Sequence, residues 1–294
     1  MTDANRFSVA RVVVMMAVFA AAAGCGDSSA PANAPATGQS ASDPRETARS
    51  AEGSAADARE TFAVASLEIP YGETQDGLLR GHFAYPESMV EPLPAVIMMH
   101  DWWGLNDATK AAAEQLAAYG YMVLAIDFYA GEVAGTPERA GALSRQLLDN
   151  PEVADNSVRA GYDFLKNAAG APVVATFGAA MGGYWSFKSS RLLPDQLAAS
   201  VVFYGQVDTE EARIAEVDVP LLAVFAGADT SIRAKDVADF AATAEALDKQ
   251  IQVHTLPNVR QSFANPDDRR FDAAAAQQAW DLTLDFLALH LTDR

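Results

Sequence analysis

A single doubly wound α/β domain with a mostly parallel sheet is the fold that the sequence predicts for residues 62–294. Three observations point to it. Short runs rich in Val, Ile, Leu and Ala recur through this stretch, as in strands buried on both faces. Longer stretches of helical spacing fall between them. The two kinds of segment alternate over about 230 residues. No internal repeat and no second domain is visible.

In chain order, residues 64–70 and 78–85 read as an N-terminal hairpin. Buried strands are expected at 95–100, 121–127, 172–177, 197–203, 221–226 and 251–256. The intervening helices are expected at 107–119, 137–167, 181–193, 234–247 and 272–290. Pro151 should break the second of these, because proline removes an amide donor and crowds the preceding turn.

The N-terminus has a different character. Arg6 and Arg11 precede a charge-free apolar run at 12–23, and Gly24-Cys25 follows it. A basic start, a short apolar stretch and small residues make a bacterial signal peptide, too short to span a bilayer as a helix. Small residues ending in Gly-Cys resemble a lipobox, with Ala22 where leucine is usual, so residues 1–24 are expected to be cleaved and Cys25 lipidated. The plainer alternative is a secretory signal with an incidental cysteine. Residues 26–60 contain no Val, Ile, Leu, Met, Phe, Trp or Tyr. The segment 25–61 is therefore expected to be a disordered tether, reaching about 30–35 Å as a flexible coil. A lipid-anchored protein of the cell envelope, on the periplasmic or extracytoplasmic face, is the location this implies; a secreted protein is the alternative.

Composition excludes other classes. The 294 residues carry a formal charge of −18, and only 5 of the 21 basic residues are lysine. Nucleic acid draws on clustered Lys and Arg, so it is not an expected partner. One cysteine rules out an internal disulfide, a multi-thiolate zinc site and a redox pair.

In doubly wound sheets, function collects at the carboxyl ends of the strands. Five such ends stand out: His100-Asp101-Trp102-Trp103-Gly104-Leu105-Asn106, Asp127-Phe128-Tyr129-Ala130-Gly131, Gly178-Ala179-Ala180-Met181-Gly182-Gly183, Gly227-Ala228-Asp229, and Arg260-Gln261-Ser262-Phe263-Ala264-Asn265-Pro266. The third has the glycine spacing of a nucleophile elbow. Together, in order, they resemble the motif blocks of the dienelactone hydrolase family, which implies an α/β-hydrolase fold over about residues 62–294. The family hydrolyses esters and lactones with a cysteine nucleophile, a histidine base and an orienting aspartate, and implies no metal or organic cofactor.

By that resemblance the nucleophile slot is Ala180, the histidine slot Gln261, the triad acid Asp229 and the loop acid Asp101. Alanine has no nucleophilic atom, and an amide is no useful base near neutral pH. Met181 and Trp102 are the expected oxyanion donors through their backbone amides, with Tyr129 and His100 beside them as ligand-binding residues. The alternative is that the elbow glycines serve packing only. Gly131 and Glu132 stand where a substrate-binding arginine would be needed, so dienelactone itself is not supported. His100 as a base, and Ser186 or Ser262 as a nucleophile, are weaker readings. His100 and Asp101 suggest two metal ligands without a third. Two functions of different class follow: a catalytically degenerate pseudohydrolase binding a small carboxylate, an ester or a protein partner, or a weak hydrolase that activates water.

Overall fold

The computed structural model describes residues 59–75 and 77–291. The expected signal peptide, Cys25 and the tether up to residue 58 lie outside the described residues. Arg59, within the expected tether, pairs with Asp281 at 3.5 Å and with Asp285, and the Phe62 N–H at the start of the domain donates to the Ala118 carbonyl.

Eight strands form one sheet: β1 (Val64–Thr74), β2 (Gly77–Pro86), β3 (Ala95–Met99), β4 (Met122–Ile126), β5 (Val174–Ala179), β6 (Ala199–Phe203), β7 (Leu221–Ala226) and β8 (Ile251–Leu256). Their spatial order is β1-β2-β4-β3-β5-β6-β7-β8. The β1–β2 hairpin joins β4 antiparallel, and every pairing from β4 to β8 is parallel. Every predicted strand is present. β1 runs longer than expected, past an irregularity between Pro70 and Gly72.

The helices are α1 (Asp107–Ala117), α2 (Pro137–Asp149), α3 (Pro151–Asp163), α4 (Met181–Leu192), α5 (Glu211–Ala215), α6 (Ala234–Ala246) and α7 (Ala273–His290). Asn106 and Asp272 cap α1 and α7 by accepting from the Thr109 and Ala275 amides, each at 3.0 Å. Pro137 and Pro151 open α2 and α3, where a missing N–H costs nothing. That explains the predicted break, and α3 runs on as a π-helical turn over Phe164–Ala168.

Alternation along the central strands sends side chains to opposite layers. Val96 and Met98 join the cluster under α1 and α7, which includes Leu116, Leu284 and Leu287. Ala95, Ile97 and Met99 join the cluster under α2 and α3, with Leu143 and Val158. α6 covers the far end through Phe240 against Phe187 and Phe225. Burying side chains of this size contributes about 1.5–3 kcal/mol each. His82 is buried in the hairpin, its two ring nitrogens facing Glu68 at 3.3 Å and Glu114 of α1 at 3.0 Å. No helix among the described residues is long and apolar enough to cross a membrane.

Candidate functional site

The site is built on the turn from β5 into α4. Ala180 sits at its apex with φ 52° and ψ −115°, a backbone that an L side chain adopts only under strain of about 1–3 kcal/mol. Close packing enforces it. A Cβ on Gly178 would lie 2.1 Å from the Gly182 carbonyl, and one on Gly182 would lie 2.1 Å from the Met99 carbonyl. The Ala180 N–H donates to Phe203 of β6 at 2.9 Å, and its carbonyl accepts from Tyr184 at 3.1 Å. The ends of β3, β5 and β6 thus hold α4 against the sheet, and the elbow stands although its apex carries only a methyl group.

A cavity of roughly 150 Å³ opens beside Ala180 and Asp101. Apolar cavities of about this size hold a benzene-sized guest. Phe177, Phe203, Tyr204 and Trp280 line it, with the Phe177 and Trp280 rings stacked at 5.6 Å. α1 lends Thr109 and Gln115, and Ser262 and Asn265 come from the loop after β8. Among the described residues, no lysine, arginine or histidine lines it, and Asp101 is its one charged group. One Asp101 oxygen, Oδ1, accepts from the Trp103 amide at 2.9 Å. Burial pushes the Asp101 pKa up to about 6, with the Trp103 amide opposing and the negative charge of Asp268 adding to the rise.

The other expected ligand-binding residues are placed differently. His100 is fully buried: Nδ1–H donates to the Asp101 carbonyl at 2.6 Å, and Nε2 accepts from the Phe128 amide at 3.0 Å. Burial lowers its pKa, so the ring is neutral, and it does not line the cavity. Both His100 nitrogens are engaged by backbone groups, with the Asp127 carboxylate 3.7 Å from Nε2, which places the ring apart from the role in ligand contact or base catalysis that the sequence suggested. Tyr129 is also buried and outside the cavity wall. Its hydroxyl lies 3.2 Å from Met181 Sδ and 3.4 Å from the Trp102 carbonyl, so it braces the β3 loop against α4. Met181 supplies the first amide of α4, which has no acceptor within the helix. Neither Met181 nor the 37%-exposed Trp102 belongs to the cavity wall.

Asp229 and Gln261 come together beyond β7 and β8. Asp229 Oδ1 accepts from the Ser231 and Ile232 amides at 2.6 and 3.2 Å, and the Ser231 hydroxyl donates to Gln261 Oε1 at 3.4 Å. The second oxygen, Oδ2, is buried without a hydrogen-bond partner. An orienting aspartate would offer such an atom to a histidine N–H, which glutamine does not supply here. Ser262, with φ 68°, lines the cavity and accepts from Arg270 at 3.3 Å. Ser186 is buried among Thr176, Ser200 and the Val201 carbonyl. No group of three metal-ligating side chains is found among the described residues.

Sequence reasoning missed Thr109, Gln115 and Trp280 as cavity residues. They lie in helices far along the chain, and only the packing of α1 and α7 over one face brings them to Ala180.

An elbow at the carboxyl end of a central strand of this eight-stranded sheet, with an acid beyond β7 and a loop beyond β8, defines an α/β-hydrolase. The model of the Dienelactone hydrolase family matches residues 79–291, and the chain belongs to that family. Among its relatives, Protein usf of Aquifex pyrophilus is 30% identical over 221 residues, covering 73% of this chain and 94% of the relative. A dienelactone hydrolase-like promiscuous phosphotriesterase from metagenomic libraries superposes with a TM-score of 0.70 at 20% identity, covering 78% of this chain and 99% of that one. A dienelactone hydrolase from Anabaena variabilis gives 0.60 at 18% identity, covering 78% and 99%.

Proposed function

We propose that this chain is a pseudohydrolase, a dienelactone hydrolase frame that binds a small ester without turning it over. One observation carries the reading: the apex residue that lines the cavity is Ala180, in an intact elbow. Covalent catalysis needs a nucleophile there, activated by a base, and the histidine slot holds Gln261. An ester suits the cavity better than a free carboxylate, because the single charge on its wall is negative. Incubation with p-nitrophenyl acetate should therefore give no burst and no added acyl mass. Stoichiometric acylation mapped to a cavity side chain would falsify the reading.

Asp101 favours a second reading, a weak hydrolase. A carboxylate with a pKa near 6 is a serviceable base for water. Hydrolysis without an acyl intermediate, rising through about pH 6 and lost in Asp101→Asn, is its signature. Hydrolases stripped of triad members retain about 10³–10⁴-fold catalysis over water, a weak residue of activity that favours the binding role. We also infer that Cys25 anchors the protein in the cell envelope through its lipid, on the strength of the N-terminal sequence alone.

A further inference from the structure

We propose that the cavity beside Ala180 receives a small organic ammonium group, with Asp101 as its counter-charge and the aromatic wall as its apolar contact. The inference rests on the cavity being a binding site and names the chemistry that it selects. Three observations support it.

First, Asp101 faces a mostly apolar space with no cation beside it. Among the described residues, the Trp103 amide is its one hydrogen-bond donor, on Oδ1. A carboxylate in such a place is costly until a positive partner arrives. Second, Arg270, which reaches the cavity residue Ser262, is committed elsewhere. Arg270 grips Asp268 with two bonds of 2.8 and 2.7 Å and reaches Ser262 at 3.3 Å. It offsets Asp268 and leaves Asp101 unpaired. Third, Phe177, Phe203, Tyr204 and Trp280 offer ring surface in the same cavity. A cation against aromatic faces gains attraction that a neutral guest of equal size does not. A ligand with both features would set its ammonium at Asp101 and its carbonyl toward the elbow.

The test compares three probes of similar size and different charge on the full-length protein: benzylammonium, benzyl alcohol and benzoate. Calorimetry at pH 7.5 in about 0.3 M salt screens the general attraction of an acidic surface. Benzylammonium should bind about tenfold or more tighter than benzyl alcohol, and benzoate weaker than either. Asp101→Asn should erase the ammonium preference. In the unmodified protein the preference should also fade between pH 7.5 and 5, as Asp101 takes up a proton. Around Asp101, Arg270 draws the Asp268 pKa down and burial draws those of Tyr129 and Tyr204 up, away from that window, and the His100 ring is held in its neutral form by the two backbone groups on its nitrogens.

Equal or tighter binding of benzoate, a preference that survives Asp101→Asn, or no ammonium binding at millimolar concentration would each overturn the proposal. Binding of the alcohol or benzoate alone would leave the cavity a binding site with a different ligand. Acylation by esters, by contrast, bears on the pseudohydrolase reading.

Discussion

A carboxylate buried beside an apolar cavity without a cation destabilises the fold that holds it. For Asp101 the sign follows from its pKa, which lies at about 6 in the fold against an ordinary 3.8. The folded state prefers the protonated acid, so stability is lost as pH rises through this range, by roughly 3 kcal/mol in full. Asp101→Asn should therefore be more stable than the unmodified protein at pH 7.5. That gain should shrink below about pH 6 and vanish below about pH 4, as urea titrations across the range would measure. A variant no more stable at pH 7.5 would mean that Asp101 is solvated or paired. The slots of Ala180, Asp101, Asp229 and Gln261 were proposed from the resemblance to the family's motif blocks, and the structure sets Ala180 and Asp101 on one cavity and Asp229 near Gln261 through Ser231. The tasks of His100 and Tyr129 were not legible in the sequence, since proximity in a motif does not show which way a ring turns. Both rings turn inward and hold loops together.

At the level of elements, α4 is seated by the absence of side chains. The Cβ of Gly182→Ala would meet the Met99 carbonyl at 2.1 Å, and backbone cannot yield as a flexible side chain can. The substitution should cost about 3 kcal/mol, the upper end for overpacking, and lower the thermal midpoint accordingly. A loss below about 1 kcal/mol would show that α4 shifts freely on the sheet. The eight strands and six of the seven helices were readable, since buried strands repeat a Val-, Ile- and Leu-rich signature and proline marks α2 and α3. The short α5 went unseen, because five residues are too few to show a helical period. The π-helical turn after α3 was also invisible, because its bonding departs from the α pattern without changing composition.

At the scale of the whole molecule, the lipid anchor proposed at Cys25 makes its own prediction. Cys25→Ser should abolish lipid labelling and move the protein out of the detergent phase in a partition assay. An unmodified protein that stays aqueous and carries no acyl mass would contradict the anchor. Within the domain, we propose that a hydrolase frame persists while two side chains of its machinery are gone. The most direct measurement is the rate of p-nitrophenyl acetate hydrolysis by Ala180→Cys, Gln261→His and the double variant. A thiol at the start of α4 gains from the helix N-terminus, and a histidine at position 261 could donate to the free Oδ2 of Asp229. Nucleophile and base act as a unit, so the double variant should exceed either single variant by far more than their combined effects. A folded double variant with an ordinary thiol, titrating near ~8.5, and no rise in rate would contradict the claim, showing that the pocket as a whole has been rebuilt.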